Sequence, residues 1–279
     1  MTGGKRMSRF MVDETKCRRD GICVAVCPVG VLTRGDKAPP EQIPGGELLC
    51  ISCGHCVAAC PFGACSLDTM PVGDCPPVRP EWRLTPEQVE HFLRSRRSIR
   101  VFKDVAVAPG RLERLIRTAR YAPSGRNNQP VRWLVISGRE PVRSLAGQVI
   151  DWMRSVSDAN PKMGRRLMLN RLVAAWDAGG DLICRAAPHV IVAHAPKDDV
   201  TAPSACTLAL AYLELAAPSQ GLGACWAGYL HMATLHWQPL QEALALPAGD
   251  GFNGALLVGE PRYSFYRLPT RREPVITWR

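Results

Sequence analysis

Residues 50 to 61 read CISCGHCVAACP, a complete C-x2-C-x2-C-x3-C-P run, and residues 17 to 28 repeat its frame as CRRDGICVAVCP. A chain with this spacing twice is constrained to fold around iron-sulfur clusters. Thiolates at the first three positions cap three irons of one cubane, while the fourth Cys ligates the other cluster of the pair. The spacing therefore assigns Cys17, Cys23 and Cys60 to one cluster, and Cys50, Cys53, Cys56 and Cys27 to the other. Asp20 stands where the first run should have its second Cys. That cluster is then either a 4Fe-4S cube with a carboxylate on one iron or a 3Fe-4S cluster missing that iron. Zinc and a disulfide scaffold also use paired cysteines, but zinc sites draw on widely separated C-x2-C pairs. Here each run ends in C-x3-C-P, where Pro28 and Pro61 divert the chain after the last thiolate.

About residues 9 to 75, this stretch resembles a two-cluster bacterial-type ferredoxin. The resemblance implies two pseudo-symmetric halves, each a short hairpin and a helix. Nine of the twelve cysteines fall before residue 76, so the first quarter is cofactor-held and the rest must fold on an ordinary core. A hydrophobic content of 46% over 279 residues is ample for that. Apolar runs such as PHVIVAHA (188 to 195) are too short to span a membrane, and the leading MTGGKRMSRFMVDE has no apolar signal core. The expectation is a cytoplasmic protein without a membrane partner, in a compartment where thiols stay reduced.

The net charge of +10 permits anionic partners. Its distribution favours phosphate over nucleic acid, because the arginines cluster at RSRRSIR (94 to 100) and RYSFYRLPTRR (262 to 272) without an aromatic-rich basic stripe. An acidic electron-donor protein suits the same charge. Residues 75 to 86, CPPVRPEWRLTP, read as a semi-extended linker, which divides the chain into a cluster domain (1 to 75), a linker (76 to 86) and a second domain (87 to 279). The second domain opens with a helix signal: Thr85 as N-cap, Pro86 at the first helical position, and Gln88 completing a capping box. Another helix is predicted over 109 to 120, from the spacing of Leu112, Leu115, Ile116 and Ala119. VRWLVIS (131 to 137), HVIVAHA (189 to 195) and NGALLVG (253 to 259) read as strands, separated by helical segments near 140 to 178 and 203 to 219. The sum is an α+β or α/β layered architecture.

Three segments carry chemistry. RRSIRVF (96 to 102) sets three arginines and a serine at the end of the first helix, suited to an anion or to a solvated basic helix end. YAPSGRNNQP (121 to 130) turns at Pro123, Ser124 and Gly125 and crowds Asn127, Asn128 and Gln129 together. GLGACWAG (221 to 228) is glycine-rich, and missing side chains let a flat ring approach the backbone.

In this order the segments, with a terminal arginine pair, resemble the nitroreductase family of FMN enzymes over roughly residues 88 to 279. The resemblance implies a central mixed sheet flanked by helices, and an obligate homodimer with two FMN sites in the subunit interface. It implies that Arg96, Arg97 and Ser98 lie around the ribityl phosphate, and that Arg100 stabilises the reduced flavin at its pyrimidine edge. Pro123, Ser124 and Gly125 match a segment that reaches the flavin from the partner subunit, with Asn127 and Gln129 shaping that loop. Ala227 and Gly228 match the backbone beside flavin N5, and Arg271 and Arg272 match C-terminal phosphate-binding residues. The family's acidic residue near N5 appears here as Ala227, preceded by Trp226. Cys225, inside the flavin-facing segment, and His231, just past it, are further candidates for chemistry, a structural histidine being the simpler reading of His231.

Together these features imply an oxidoreductase in which a low-potential donor, such as reduced ferredoxin, feeds clusters that pass electrons singly to FMN. A nitro compound, quinone or activated alkene would then take them as a pair. The competing expectations are an electron carrier that turns over no small molecule, and a basic nucleic-acid protein with a steep salt dependence and no flavin.

Overall fold

The computed structural model describes residues 7 to 34 and 38 to 279; the start of the leading polar segment, residues 1 to 6, lies outside the described residues. The chain divides into two compact units. One comprises the residues up to Arg83 together with Gly125–Asn128; the other comprises Leu84–Ser124 and Gln129–Arg279.

The first unit runs β1 (Phe10–Val12), α1 (Ile22–Ala25), β2 (Leu32–Thr33), β3 (Glu41–Gln42), α2 (Gly46–Leu49), α3 (His55–Ala59) and β4 (Cys65–Leu67). Strand β1 pairs antiparallel with β4, and β2 with β3. Each cysteine run feeds one short helix, α1 or α3, as the ferredoxin resemblance implies. The core is small. Phe10, Leu32, Val57 and Leu67 are buried together with Cys23 and Cys65, and Cys27, Cys56 and Cys60 pack against them. Thiols thus form part of the interior itself.

The second unit runs α4 (Pro86–Ser95), α5 (Pro109–Ala119), β5 (Arg132–Ser137), α6 (Arg139–Ala159), α7 (Pro161–Arg166), α8 (Leu169–Asp177), β6 (His189–Pro196), α9 (Ala202–Ala216), β7 (Gly223–Trp226), α10 (Gly228–His236), α11 (Gln238–Leu244) and β8 (Asp250–Gly259). The capping box forms as read: Gln88 N–H donates to Thr85 Oγ1 and Thr85 N–H to Gln88 Oε1. The sheet order is β5-β6-β8-β7. Within this chain all three pairings are antiparallel, so the mixed sheet implied by the resemblance is antiparallel among the described residues.

Strand β6 is buried on both faces, because its alternate side chains enter two different cores. Val190 and Val192 face the core built by α6, α8, α10 and α11. Ile191, Ala193 and Ala195 face the core built by α5 and α9. The result is a sheet sandwiched between two helical layers. No helix among the described residues is long and apolar enough to cross a membrane.

Candidate functional site

The two cysteine runs share left-handed backbone at two matching positions. Arg19 and Ser52 are left-handed (φ 56° and 50°), as are Gly21 and Gly54 (φ 77° and 72°), each glycine opening the helix that follows. Asp20 therefore occupies the place that Cys53 holds in the second run. Its Oδ1 accepts the Ile22 N–H at 3.1 Å, the local bond expected of an Asp at a helix start.

Cys27, Cys50, Cys53 and Cys56 line one cavity, walled by Phe10, Leu32 and Leu67, with His55 at its rim. Burial, with Cys50 and Cys53 close by, pushes the Cys56 thiol up to about 11. In the first set, Cys23 and Cys60 both lie against the buried Cys65 thiol, and Asp20 is an electrostatic neighbour of Cys23. Burial works against ionising Cys60. Backbone N–H groups of Ala64, Phe62 and Cys65 outweigh it and hold the thiol below its ordinary value, the Ala64 N–H lying 3.3 Å from Sγ. Cys17 is half-exposed, with its N–H donating to the Asp13 carbonyl (3.0 Å). No three His, Cys, Asp or Glu side chains among the described residues converge as for a single ion. Ligands of a cubane cap separate irons and need no such convergence. The four-thiol cavity fits that chemistry.

In the second unit the RRSIRVF segment leaves α4 and runs extended beside the sheet. Ile99 N–H donates to the Ala224 carbonyl (2.9 Å), and Arg262 N–H to the Val101 carbonyl (3.0 Å). The contact requires glycine at 223, since a Cβ there would overlap Ile99. Arg96 Nη1 lies 2.8 Å from Glu214 Oε1, whose other oxygen accepts Trp226 Nε1–H at 3.1 Å. Glu214 is buried, so this cation and donor make its charge tolerable. Arg97 lies over the Phe265 ring at 5.7 Å. Of the segment's arginines, Arg100 reaches the main cavity of this unit.

That cavity, about 570 Å³, is bounded by Arg100, Arg185, Cys225, Trp226 and the first turn of α10, with apolar walls from Leu182, Ile183 and Leu257. Ala227 N–H is already taken by the Ala255 carbonyl (3.0 Å), so the donors offered to the cavity begin at Gly228, where the first turn of a helix has no intrahelical acceptors. Burial raises the Cys225 thiol, although Arg100, Arg185 and Ser98 pull the other way. His231 lines the cavity and stacks edge-on against Phe252 with ring centres 5.4 Å apart.

The structure thus brings Ser98, Arg100, Ala227 and Gly228 to one place. Pro123, Ser124 and Gln129 line a different, smaller cavity of about 140 Å³, with Gln129 N–H on Ser124 Oγ (2.9 Å). Gly125 and Asn127 belong with the first unit, where Asn127 Nδ2 donates to the Ile51 and Ser52 carbonyls at 3.2 and 3.0 Å, between Cys50 and Cys53. Arg271 and Arg272 lie in an exposed tail without regular structure. Sequence reasoning missed Arg185. Its signal was the GGDLICRAAP stretch, in which Asp181 can fold a turn back on itself.

Residues 93–260 match the nitroreductase family, and residues 9–62 match a 4Fe-4S dicluster domain. A protein of Archaeoglobus fulgidus, named as an NADH dehydrogenase/NAD(P)H nitroreductase, is 24% identical over 195 residues, 67% of this chain and 95% of that one. Among solved structures, a nitroreductase with bound FMN from Bacteroides fragilis superposes with a TM-score of 0.57 at 18% identity, covering 68% of this chain and 97% of the other. One from Desulfitobacterium hafniense, also with FMN, gives 0.54 at 23% identity, with 68% and 96% coverage. At these identities the superpositions speak for the fold, and the family match covers more than half of the sequence. The chain belongs to the nitroreductase family and carries a ferredoxin-type 4Fe-4S dicluster domain ahead of its flavoprotein fold.

Proposed function

We propose that the protein is an iron-sulfur flavoprotein oxidoreductase that takes electrons from a low-potential donor such as reduced ferredoxin, relays them through its clusters to FMN, and delivers them to a small organic acceptor. The observation that carries this reading is the pairing, in one chain, of a four-thiol cavity with a nitroreductase-type cavity lined by Arg100 and the first turn of α10. FMN and the clusters supply the redox chemistry when bound. The acceptor classes that suit the site are nitro compounds, quinones and activated alkenes.

The chain's residues do the rest. Cys27, Cys50, Cys53 and Cys56 would hold one 4Fe-4S cluster. Cys17, Asp20, Cys23 and Cys60 would hold the other, as 4Fe-4S with a carboxylate ligand or as 3Fe-4S. Arg100 would neutralise charge at the flavin's pyrimidine edge, and the Gly228 N–H would orient the ring. Arg97, Ser98, Arg271 and Arg272 would serve the phosphate, whereas Arg96 acts in part through Glu214, its ion-pair partner. Two copies would complete each site, with Pro123, Ser124, Gly125, Asn127 and Gln129 contributed by the second. The exposed apolar face of α4, with Val89, Phe92 and Leu93, and the exposed Phe265 and Trp278 of the tail support such pairing.

A carrier without small-molecule turnover is the competing reading, and Cys53→Ala separates them. Anaerobically purified wild type should contain iron, sulfide and flavin. The variant should lose the second cluster and the turnover driven by reduced ferredoxin or viologen, while its FMN, reduced directly by light, still passes electrons to a nitroaromatic or quinone. Full activity of the variant with the protein donor would end the relay model; no turnover of any acceptor by wild type would favour the carrier.

A further inference from the structure

Arg185 lines the flavin-fold cavity yet belongs to none of the motifs that identify the site. Its position is locked. Asp181 Oδ1 accepts the N–H groups of Ile183 and Cys184 (2.9 and 2.8 Å), and Oδ2 accepts that of Ala186 (2.9 Å). Arg185 and Ala186 are both left-handed (φ 59° and 49°), a conformation disfavoured for any non-glycine residue. The fully buried Cys184 and Ala187 pin the turn on either side of that pair. Strain of this kind persists where the surroundings over-determine it, and it is common at ligand clamps.

The charge in the cavity is lopsided. Among the described residues neither the Arg100 nor the Arg185 guanidinium makes an ion pair or hydrogen bond, and no Asp or Glu lines the space. The nearby acids are already engaged: Glu214 by Arg96 and Trp226, and Asp181 by three backbone N–H groups of its own turn. The first turn of α10 adds further positive potential. One cation suffices for the pyrimidine edge of a flavin, and Arg100 fills that role in the reading above. A second, unpaired guanidinium in a cavity whose other walls are mostly apolar, with no acid among them, is in surplus.

Resting on the proposed function, we propose that Arg185 anchors the acceptor, and that the acceptor is an apolar molecule bearing one carboxylate. The planar fork of a guanidinium matches a carboxylate with two parallel hydrogen bonds. A single negative charge balances the single surplus cation, whereas a phosphate dianion would exceed it. Leu182, Ile183 and Leu257 would cover the apolar body.

Binding tests this without turnover. Benzoate and its neutral analogue benzamide are titrated into the FMN-loaded, oxidised full chain, and the change in flavin absorbance is followed for wild type, Arg185→Gln and Arg185→Lys. Wild type should prefer benzoate, and Arg185→Gln should reduce that preference by roughly tenfold or more, the usual weight of a charge-assisted hydrogen bond. Arg185→Lys should recover part of it by charge alone. An unchanged preference in Arg185→Gln overturns the proposal. So does an equal loss of FMN affinity with the preference intact, which would place Arg185 on the cofactor. Turnover of 4-nitrobenzoate is a separate question: its absence would count against the oxidoreductase reading and leave the benzoate result decisive for Arg185.

Discussion

The two units close their interiors with different materials. The flavin-fold unit packs aliphatic side chains against both faces of its sheet, with Leu210, Leu213, Leu240 and Leu256 wholly out of water. The ferredoxin-type unit has a handful of apolar side chains, and its thiols stand among them. A unit with so small an apolar core is marginal, so metal binding at its thiols would add directly to its folding free energy. The second unit folds on its own surface burial and leaves its cofactor site as a cavity. The cofactor of the first unit is by expectation a structural member, and that of the second a guest.

The largest expected effect breaks this comparison if it fails. Stripping iron from the full chain with a chelator should abolish the first unit's thermal transition while the second unit's transition stays in place. A cluster-free first unit that still melted cooperatively in calorimetry would mean its apolar core suffices. Next in size, Leu210→Ala should destabilise the second unit by about 2 to 5 kcal/mol, the range for a buried leucine whose cavity only partly collapses. Iron content should not change, and if iron were lost in parallel the two units would share one cooperative transition. The smallest effect is Asn127→Ala. It removes two hydrogen bonds to the Ile51 and Ser52 carbonyls, each worth about 0.5 to 1.5 kcal/mol, from the ligand loop of the second cluster alone. Iron loss to a chelator should quicken for that cluster and not for the first, as followed by low-temperature EPR of the two.

Much of this was legible in the residues. The cysteine frame aligns Asp20 with Cys53 and Gly21 with Gly54, so that equivalence could be read before any coordinates. The capping box at Thr85 and the apolar runs of β5, β6 and β8 were legible for a similar reason: local chemistry and tertiary position agree there. β7 was not. Gly223–Trp226 is a short stretch in a glycine-rich passage, and only its pairing with β8 makes it a strand. Helix α10 begins at a glycine and was hidden in the same passage. The site divides likewise. Arg100 and Gly228, drawn from two separate motifs, line one cavity, while the engagement of Arg96 with Glu214 depends on residues 118 positions apart. Arg185 depends on a clamp by Asp181 that composition alone does not reveal.

The segment Gly125–Asn128 has a consequence for how such a chain can be taken apart. It is sequence of the flavin-fold half, yet it packs as a piece of the ferredoxin half. A cut in the proline-rich stretch before Leu84 would therefore leave the first half missing a piece of its own structure, and the second half displaying an orphaned loop. The cluster module is not a cassette that can be exchanged by its borders alone. Any transplant, natural or engineered, has to carry those residues along or evolve replacements for them.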